Sequence, residues 1–247
     1  MTTPSIEHQL AKPSHFQLGL KAGIPVAIGY MPIAMTFGLL AKTSDIPISV
    51  AIMMSLLVYA GASQFIGINL MAAGVANWEI IITTFILNLR HFFMTASLSQ
   101  RIPARVSKKW SALLSFGVTD ETFSVASTQG SRELHPSFVL GLNAIAFAAW
   151  NIGSWIGIFL SSGLPESVQS SMGIALYAMF IGLIIPSLKK SRPVIWICLL
   201  AIGIHSVFYW IIPKYINMSA GWSIIITTIL ASAIGALLFP NGGDTNE

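Results

Sequence analysis

Long uncharged runs recur along nearly the whole chain, and they limit its fold more than any other feature. They are Ala22–Ala41, Ile46–Trp78, Pro136–Pro165, Ser167–Leu188, Pro193–Pro213 and Tyr215–Gly243. Each reaches or exceeds the roughly 20 residues that an α-helix needs to cross the hydrocarbon core of a bilayer. Only helices and closed barrels satisfy every backbone group in lipid, and runs of this length predict helices. Charged residues make up 9% of the 247 residues and the mean hydropathy is +0.75, against a usual charged quarter in soluble domains. The fold class is therefore all-α: a polytopic helical membrane protein.

The net charge of +4 is local in origin. Basic residues concentrate in Arg101–Lys109 and Lys189–Arg192, which look like cytoplasmic anchors rather than a nucleic-acid surface. Cys198 is the single cysteine, so an internal disulfide and a thiolate metal cluster are both excluded. No Gly-rich phosphate loop or metal-binding pair of histidines at helical spacing is present, and no cofactor or metal is expected. The segment Met1–His15 reads as a polar, uncleaved tail.

Helices are expected near Gly23–Ala41, Ser49–Ala73, Ile80–Leu98, Phe138–Leu160, Ser171–Leu188, Val194–Ile212 and Gly221–Phe239. Trp110–Thr128 is weaker, because it carries Asp120 and Glu121; it is either a tilted helix or a re-entrant element lined by protein. The expected count is seven or eight. Shifting the chain by about 122 residues aligns Phe16-Gln-Leu-Gly-Leu-Lys-Ala22 with Phe138-Val-Leu-Gly-Leu-Asn-Ala144, and brings Phe37, Ser49 and Ile52 onto Phe159, Ser171 and Ile174. This suggests a duplication within one transmembrane domain over 16–239. Its repeats span about 16–100 and 138–239, joined by a charged connector and weak helix over 101–137, with a polar tail at 240–247. If the loops at Arg101–Lys109 and Lys189–Arg192 are both cytoplasmic, the halves face opposite ways, the inverted-repeat plan of many transporters. That plan requires Trp110–Thr128 not to cross fully, and Lys12 and Lys21 argue against it.

Arg90 and His91 stand in the middle of one apolar stretch, Ile80–Ser99. A cation at mid-bilayer costs roughly 2.5–3.5 kcal/mol on insertion scales, so an ionisable residue there points to function. The alternative is that Arg90 ends a shorter helix and snorkels to a headgroup. Its candidate counter-charges are Asp120 and Glu121; an ion pair would lower the cost of burying them, and protonating one carboxylate would make a switch. His91 and His205 are candidate proton relays or simple packing residues.

Ile46–Trp78 contains about 33 uncharged residues, or about 50 Å of straight helix against a core of about 30 Å. Gly61, Gly67 and Gly74 interrupt it, and Tyr59-Ala-Gly61-Ala-Ser63-Gln64-Phe is its most polar part. Either the helix is steeply tilted with a small-residue packing face, or it breaks near Gly61. A break would leave free backbone groups beside Ser63 and Gln64 to hold a substrate. The first run carries Pro25 and Pro32, which give a static kink or an unwound hinge. Asn88 is placed to hydrogen-bond a substrate or a neighbouring helix. Asn143, Trp150 and Asn151 fall near the start of a helix, where aromatic packing and interface anchoring are the default. An intramembrane Ser63–His91 or Ser63–His205 pair would lack a framed nucleophile turn and an oxyanion site, so the chain is not expected to be an enzyme.

Four stretches together resemble the AzlC family of branched-chain amino acid permeases: Gly23-Ile-Pro25 through Phe37-Gly38, Ser55 through Gln64-Phe, Asn88-Leu-Arg90-His91, and Thr119-Asp120-Glu121. The resemblance runs from about Phe16 to Leu238. It implies export of valine, leucine, isoleucine and methionine across a bacterial inner membrane, and a small AzlD-type partner with about four helices. On this reading, Gln64 with backbone opened at Gly61 and Ser63 holds the zwitterion. Asn88 and Arg90 recognise the carboxylate, and Phe37, Tyr59 or Phe65 receives the apolar side chain. Protonation of Asp120 or Glu121, with Arg90 and His91 nearby, couples transport to the proton gradient. The rivals are an importer or passive channel for small amphipathic solutes, and a scaffold subunit that transports nothing.

Overall fold

A computed structural model describes residues 13–160, 191–216 and 218–240, with scattered positions between 163 and 189. The predicted helix Ser171–Leu188 lies, as an element, outside the described residues, as do most of the N-terminal tail and residues 241–247. Among the described residues there are nine α-helices and no strand: α1 His15–Thr43, α2 Ile48–Met53, α3 Gly61–Ala72, α4 Asn77–Ser99, α5 Lys108–Phe116, α6 Asp120–Ser127, α7 Pro136–Leu160, α8 Arg192–Trp210 and α9 Ala220–Leu238. Five of them, α1, α4, α7, α8 with the 3₁₀ turn after it, and α9, are long and apolar enough to cross a membrane.

Local chemistry sets the helix ends. At the end of α1 the Ile46 N–H donates to the Ala41 carbonyl at 3.0 Å, with Asp45 left-handed at φ 55°. At the end of α3 the Val75 N–H donates to Leu70 O at 3.0 Å across Gly74, whose φ is 68°. Both are Schellman closures, and glycine takes the left-handed position without steric cost. Pro25 and Pro32 leave α1 continuous, so the unwound alternative at these prolines is not the conformation adopted. The weak segment Trp110–Thr128 is not a single tilted helix. It forms α5 and α6, separated at Gly117–Thr119. Thr119 caps α6 reciprocally, its backbone N–H donating to Thr122 Oγ1 at 2.8 Å while the Thr122 N–H donates to Thr119 Oγ1 at 3.3 Å.

The helices gather into two compact units. The first takes in the chain up to Ala27 and Met94–Ala148. Its core joins Leu98, Leu114, Val118, Ala126, Leu134, Val139 and Leu142. Arg101 ties its loops together: the guanidinium donates to the carbonyls of Ala126, Ser127, Gln129 and Ser131 at 2.6–3.1 Å. The planar fork of arginine thus closes the C-terminal end of α6, whose last carbonyls have no helical partner. The sequence counts this residue in a cytoplasmic anchor loop; its hydrogen bonds go to the chain itself.

Glycines let α1 and α7 touch backbone to backbone in this unit. Gly19 faces the Phe138 carbonyl, and Gly141 faces the Phe16 carbonyl. These are matched positions of the 122-residue shift, meeting reciprocally. Gly23 lies against Leu142 and Ile145, so numbering advances together along both helices and they run parallel. An inverted repeat would set these two helices antiparallel. The expectation of oppositely facing halves is therefore corrected at this pair.

The second unit comprises Ile28–Phe93 and the chain from Ala149 onward. Here too α1 and α7 run parallel in close contact, Gly153 lying against Met31 and Ala34 and Gly157 against the Met35 carbonyl. Small residues permit such approach, and packing rather than hydrophobic exclusion drives helix association in lipid. At the far end, Glu79 in the first turn of α4 is 5% exposed. Its carboxylate accepts from the Ser219 hydroxyl and, at 3.1 Å, from the Trp222 N–H. It therefore caps the N-terminus of α9 from another helix, where negative charge is favoured. Trp78 meets Trp222 edge to face, centroids 5.7 Å apart. Further along, His205 Nδ1 of α8 lies 3.3 Å from Ser223 Oγ and 3.5 Å from Thr227 Oγ1 of α9, a role in helix pairing. The opposite side of α4 presents Ile81, Phe85, Leu89 and Phe92 outward, an apolar ribbon suited to lipid.

Two expectations follow for the protein purified in detergent. Gly157→Ala should lower its thermal midpoint by several degrees, since the methyl would enter the Met35 carbonyl, whereas Gly29→Ala, with nothing within 4 Å, should leave it unchanged. Glu79→Ala should cost about 1–3 kcal/mol for each donor left buried without a partner, while Glu79→Gln, which keeps an acceptor, should recover much of the loss. Equal midpoints for the Ala and Gln variants would contradict the cap.

Candidate functional site

The long uncharged run Ile46–Trp78 is not one tilted helix. After α2 the chain widens into a π turn over Met54–Val58, with the Tyr59 N–H donating to Met54 O at 3.1 Å. It then breaks at Tyr59, which sits in the left-handed region at φ 44°, ψ 44°, and at Ala60, which is extended at φ −133°, ψ 89°. A non-glycine residue in that region costs roughly 1–2 kcal/mol. Tyr59 is nonetheless 3% exposed and held in place by its surroundings. Helix α3 restarts at Gly61 with no side-chain cap. Its first N–H groups, those of Gly61, Ala62 and Ser63, have no carbonyl within their own helix to bond.

Side chains from α1, α3 and α7 enclose this restart. Gly61 lies against Trp150, whose Cη2 would stand 2.8 Å from an added Cβ. Trp150 meets Tyr30 edge to face at 5.3 Å and leans on Phe37 at 6.5 Å, and Phe37 meets Phe65 edge to face at 5.8 Å. Trp150 is 2% exposed and lies at the middle of α7. Of the two roles the sequence allows it, aromatic packing and interface anchoring near a helix start, it has the packing, in mid-helix; Asn151 beside it is likewise mid-helix and buried.

Gln64, 0% exposed, ends a directed hydrogen-bond relay. Its Nε2 donates to Ser55 Oγ at 3.2 Å, Ser55 Oγ donates to Ser154 Oγ at 2.9 Å, and Ser154 Oγ donates to the Trp150 carbonyl at 2.8 Å. That carbonyl can only accept, so each hydroxyl must pass its proton along the chain. Gln64 therefore presents its NH₂ to Ser55, which fixes the orientation of its amide. Among the described residues, Gln64 Oε1 is left buried without a hydrogen-bond partner, as is Trp150 Nε1.

Ser63 Oγ donates to Asn88 Oδ1 at 2.6 Å, so two sequence candidates meet and join α3 to α4. Arg90 is the fourteenth of the 23 residues of α4, about 20 Å along it. It does not end a shorter helix; Arg90 and His91 are both half-buried in its middle. Glu79, Thr83 and Arg90 fall within about 40° of one another around the helix. In the first unit, Asp120 and Glu121 open α6 in its first turn, half-buried, where acidic residues complement the helix dipole. Asn143 Nδ2 donates to the Leu114 carbonyl at 2.9 Å, a helix-packing role.

Sequence reasoning missed Trp150, Ser55 and Ser154 as parts of the site, and Glu79 as a buried carboxylate. Ser55 and Gln64 are nine residues apart, a spacing that brings them together only once the break is in place. Glu79 sits at the edge of an apolar run and reads as an ordinary helix start.

A family profile described as AzlC protein matches residues 25–164, the stretch holding the break, Gln64, Asn88, Arg90, Asp120, Glu121 and Trp150. The "Inner membrane protein YgaZ" of Escherichia coli (strain K12) is 32% identical over 183 residues, covering 72% of this chain and 75% of that one. An "Uncharacterized membrane protein" of Archaeoglobus fulgidus is 35% identical over 184 residues, covering 74% and 80%. The "Branched-chain amino acid transport protein AzlC" of Bacillus subtilis (strain 168) is 22% identical over 201 residues, covering 78% and 77%. No solved structure matches. A multi-pass helical chain with these relatives and this profile match belongs to the AzlC family.

Proposed function

We propose that this protein is a secondary transporter that exports branched-chain amino acids across the cytoplasmic membrane in exchange for protons. The carrying observation is the helix broken at Tyr59–Ala60, with buried Gln64 beside the uncapped start of α3. Open backbone at membrane depth beside a buried polar side chain is the usual form of a transporter's substrate site. The name of the Bacillus subtilis relative supplies the substrate class.

In this reading the backbone at Gly61 and Ser63, with Gln64, holds the zwitterion. Asn88 and Arg90 on α4 recognise the carboxylate, and Phe37, Tyr59 and Phe65 receive the branched side chain. Asp120 and Glu121 carry the coupling proton, with His91 as a relay. A small membrane protein of the AzlD type, with about four helices, completes the exporter.

The test is counterflow of labelled leucine in proteoliposomes, with and without that small partner, across imposed pH gradients. Wild-type protein should accumulate leucine against its gradient and respond to the pH difference. Arg90→Gln should abolish counterflow while the protein still inserts. Wild-type rates from that variant would retire the role of Arg90, and equilibration without accumulation would show a passive pore instead.

A further inference from the structure

Two polar atoms in the core of the second unit carry hydrogen-bonding capacity that the described chain does not use. Gln64 Oε1 accepts and Trp150 Nε1–H donates; each is buried and has no partner. Burying such a group without a partner is costly, and buried polar groups are rarely left so. Their orientations are fixed independently of each other. The relay through Ser55 and Ser154 turns the Gln64 amide so that its oxygen faces away from Ser55. Gly61, Phe37 and Tyr30 confine the Trp150 ring. Both side chains border the start of α3: the six-membered edge of the Trp150 ring lies against Gly61, and Gln64 stands three residues further along α3.

We propose that the Trp150 indole N–H and the Gln64 carbonyl oxygen are the two poles of one subsite that takes opposite ends of an amino acid backbone. The carboxylate accepts from Trp150, and the ammonium donates to Gln64. One fixed donor and one fixed acceptor match a zwitterion, and the rings of Phe37 and Phe65 offer an apolar wall to its side chain. The inference rests on the transport reading above and adds Trp150, with a defined ligand orientation, to it.

Binding to the purified full-length protein, measured for three ligands, tests the assignment. The ligands are leucine, 3-methylbutylamine, which lacks the carboxylate, and 4-methylpentanoate, which lacks the ammonium. Trp150→Phe keeps a ring and loses the donor. It should weaken leucine and 4-methylpentanoate about tenfold and leave 3-methylbutylamine unchanged. Gln64→Leu should do the reverse, weakening leucine and 3-methylbutylamine while sparing 4-methylpentanoate. If Gln64→Leu does not fold, Gln64→Glu serves in its place: 3-methylbutylamine should bind at least as tightly as to wild type, and 4-methylpentanoate should lose affinity. Equal weakening of all three ligands would mean that the two residues only support the fold. No weakening would mean that buried water satisfies them, and either result overturns the subsite. Wild-type protein that binds leucine with those outcomes leaves the transport reading standing; wild-type protein that binds no leucine removes both.

Discussion

In hydrocarbon no solvent is available to complete a broken helix, so every backbone amide there must be answered by the chain or by something the chain encloses. The interruption at Tyr59–Ala60 puts that constraint to use, with neither glycine nor proline at its turning residues. A π turn widens the helix before the break, Tyr59 accepts a left-handed backbone, and α3 begins again with its first amides uncapped. Helices α1 and α7, with α3 itself, line the restart with aromatic rings, and a serine relay runs from the π turn to α7. The protein thus sets conformational cost and unused hydrogen-bonding capacity at one place, the pattern expected where strain belongs to function.

That arrangement depends in turn on how closely α1 and α7 approach. Backbone contact through Gly153 and Gly157 brings the middle of α7 near α1, which puts Trp150 against Tyr30 and Phe37. A larger side chain at either glycine would move the indole away from Gly61. The glycine seam and the aromatic packing round Gly61 therefore go together, and the seam's cost in helix propensity is offset by the packing it allows.

Much of this was legible in the chain. Apolar runs located the spanning helices to within a few residues at most ends, because twenty residues without charge admit few other structures. The break near Gly61 was one of two open readings; only the geometry chose it, since glycines serve tilted packing equally well. What stayed hidden depended on contacts distant in sequence. Ser55 and Ser154 are 99 residues apart, and neither stands out among apolar neighbours. The parallel course of α1 and α7 is not legible from loop charge, which reports the side of a loop and not which helices touch. For Trp150 the sequence allows both aromatic packing and interface anchoring; its place in the middle of α7 leaves the packing.

Glu79 has an implication for how the protein is made. Synthesis delivers α4 well before α9, so the acceptor for the last described helix is already in place when that helix arrives. A late helix without a cap of its own finds its first amides answered only by docking beside α4. The acceptor for the first amides of that helix is thus a carboxylate laid down about 140 residues earlier, and a chain lacking the helix would uncover it.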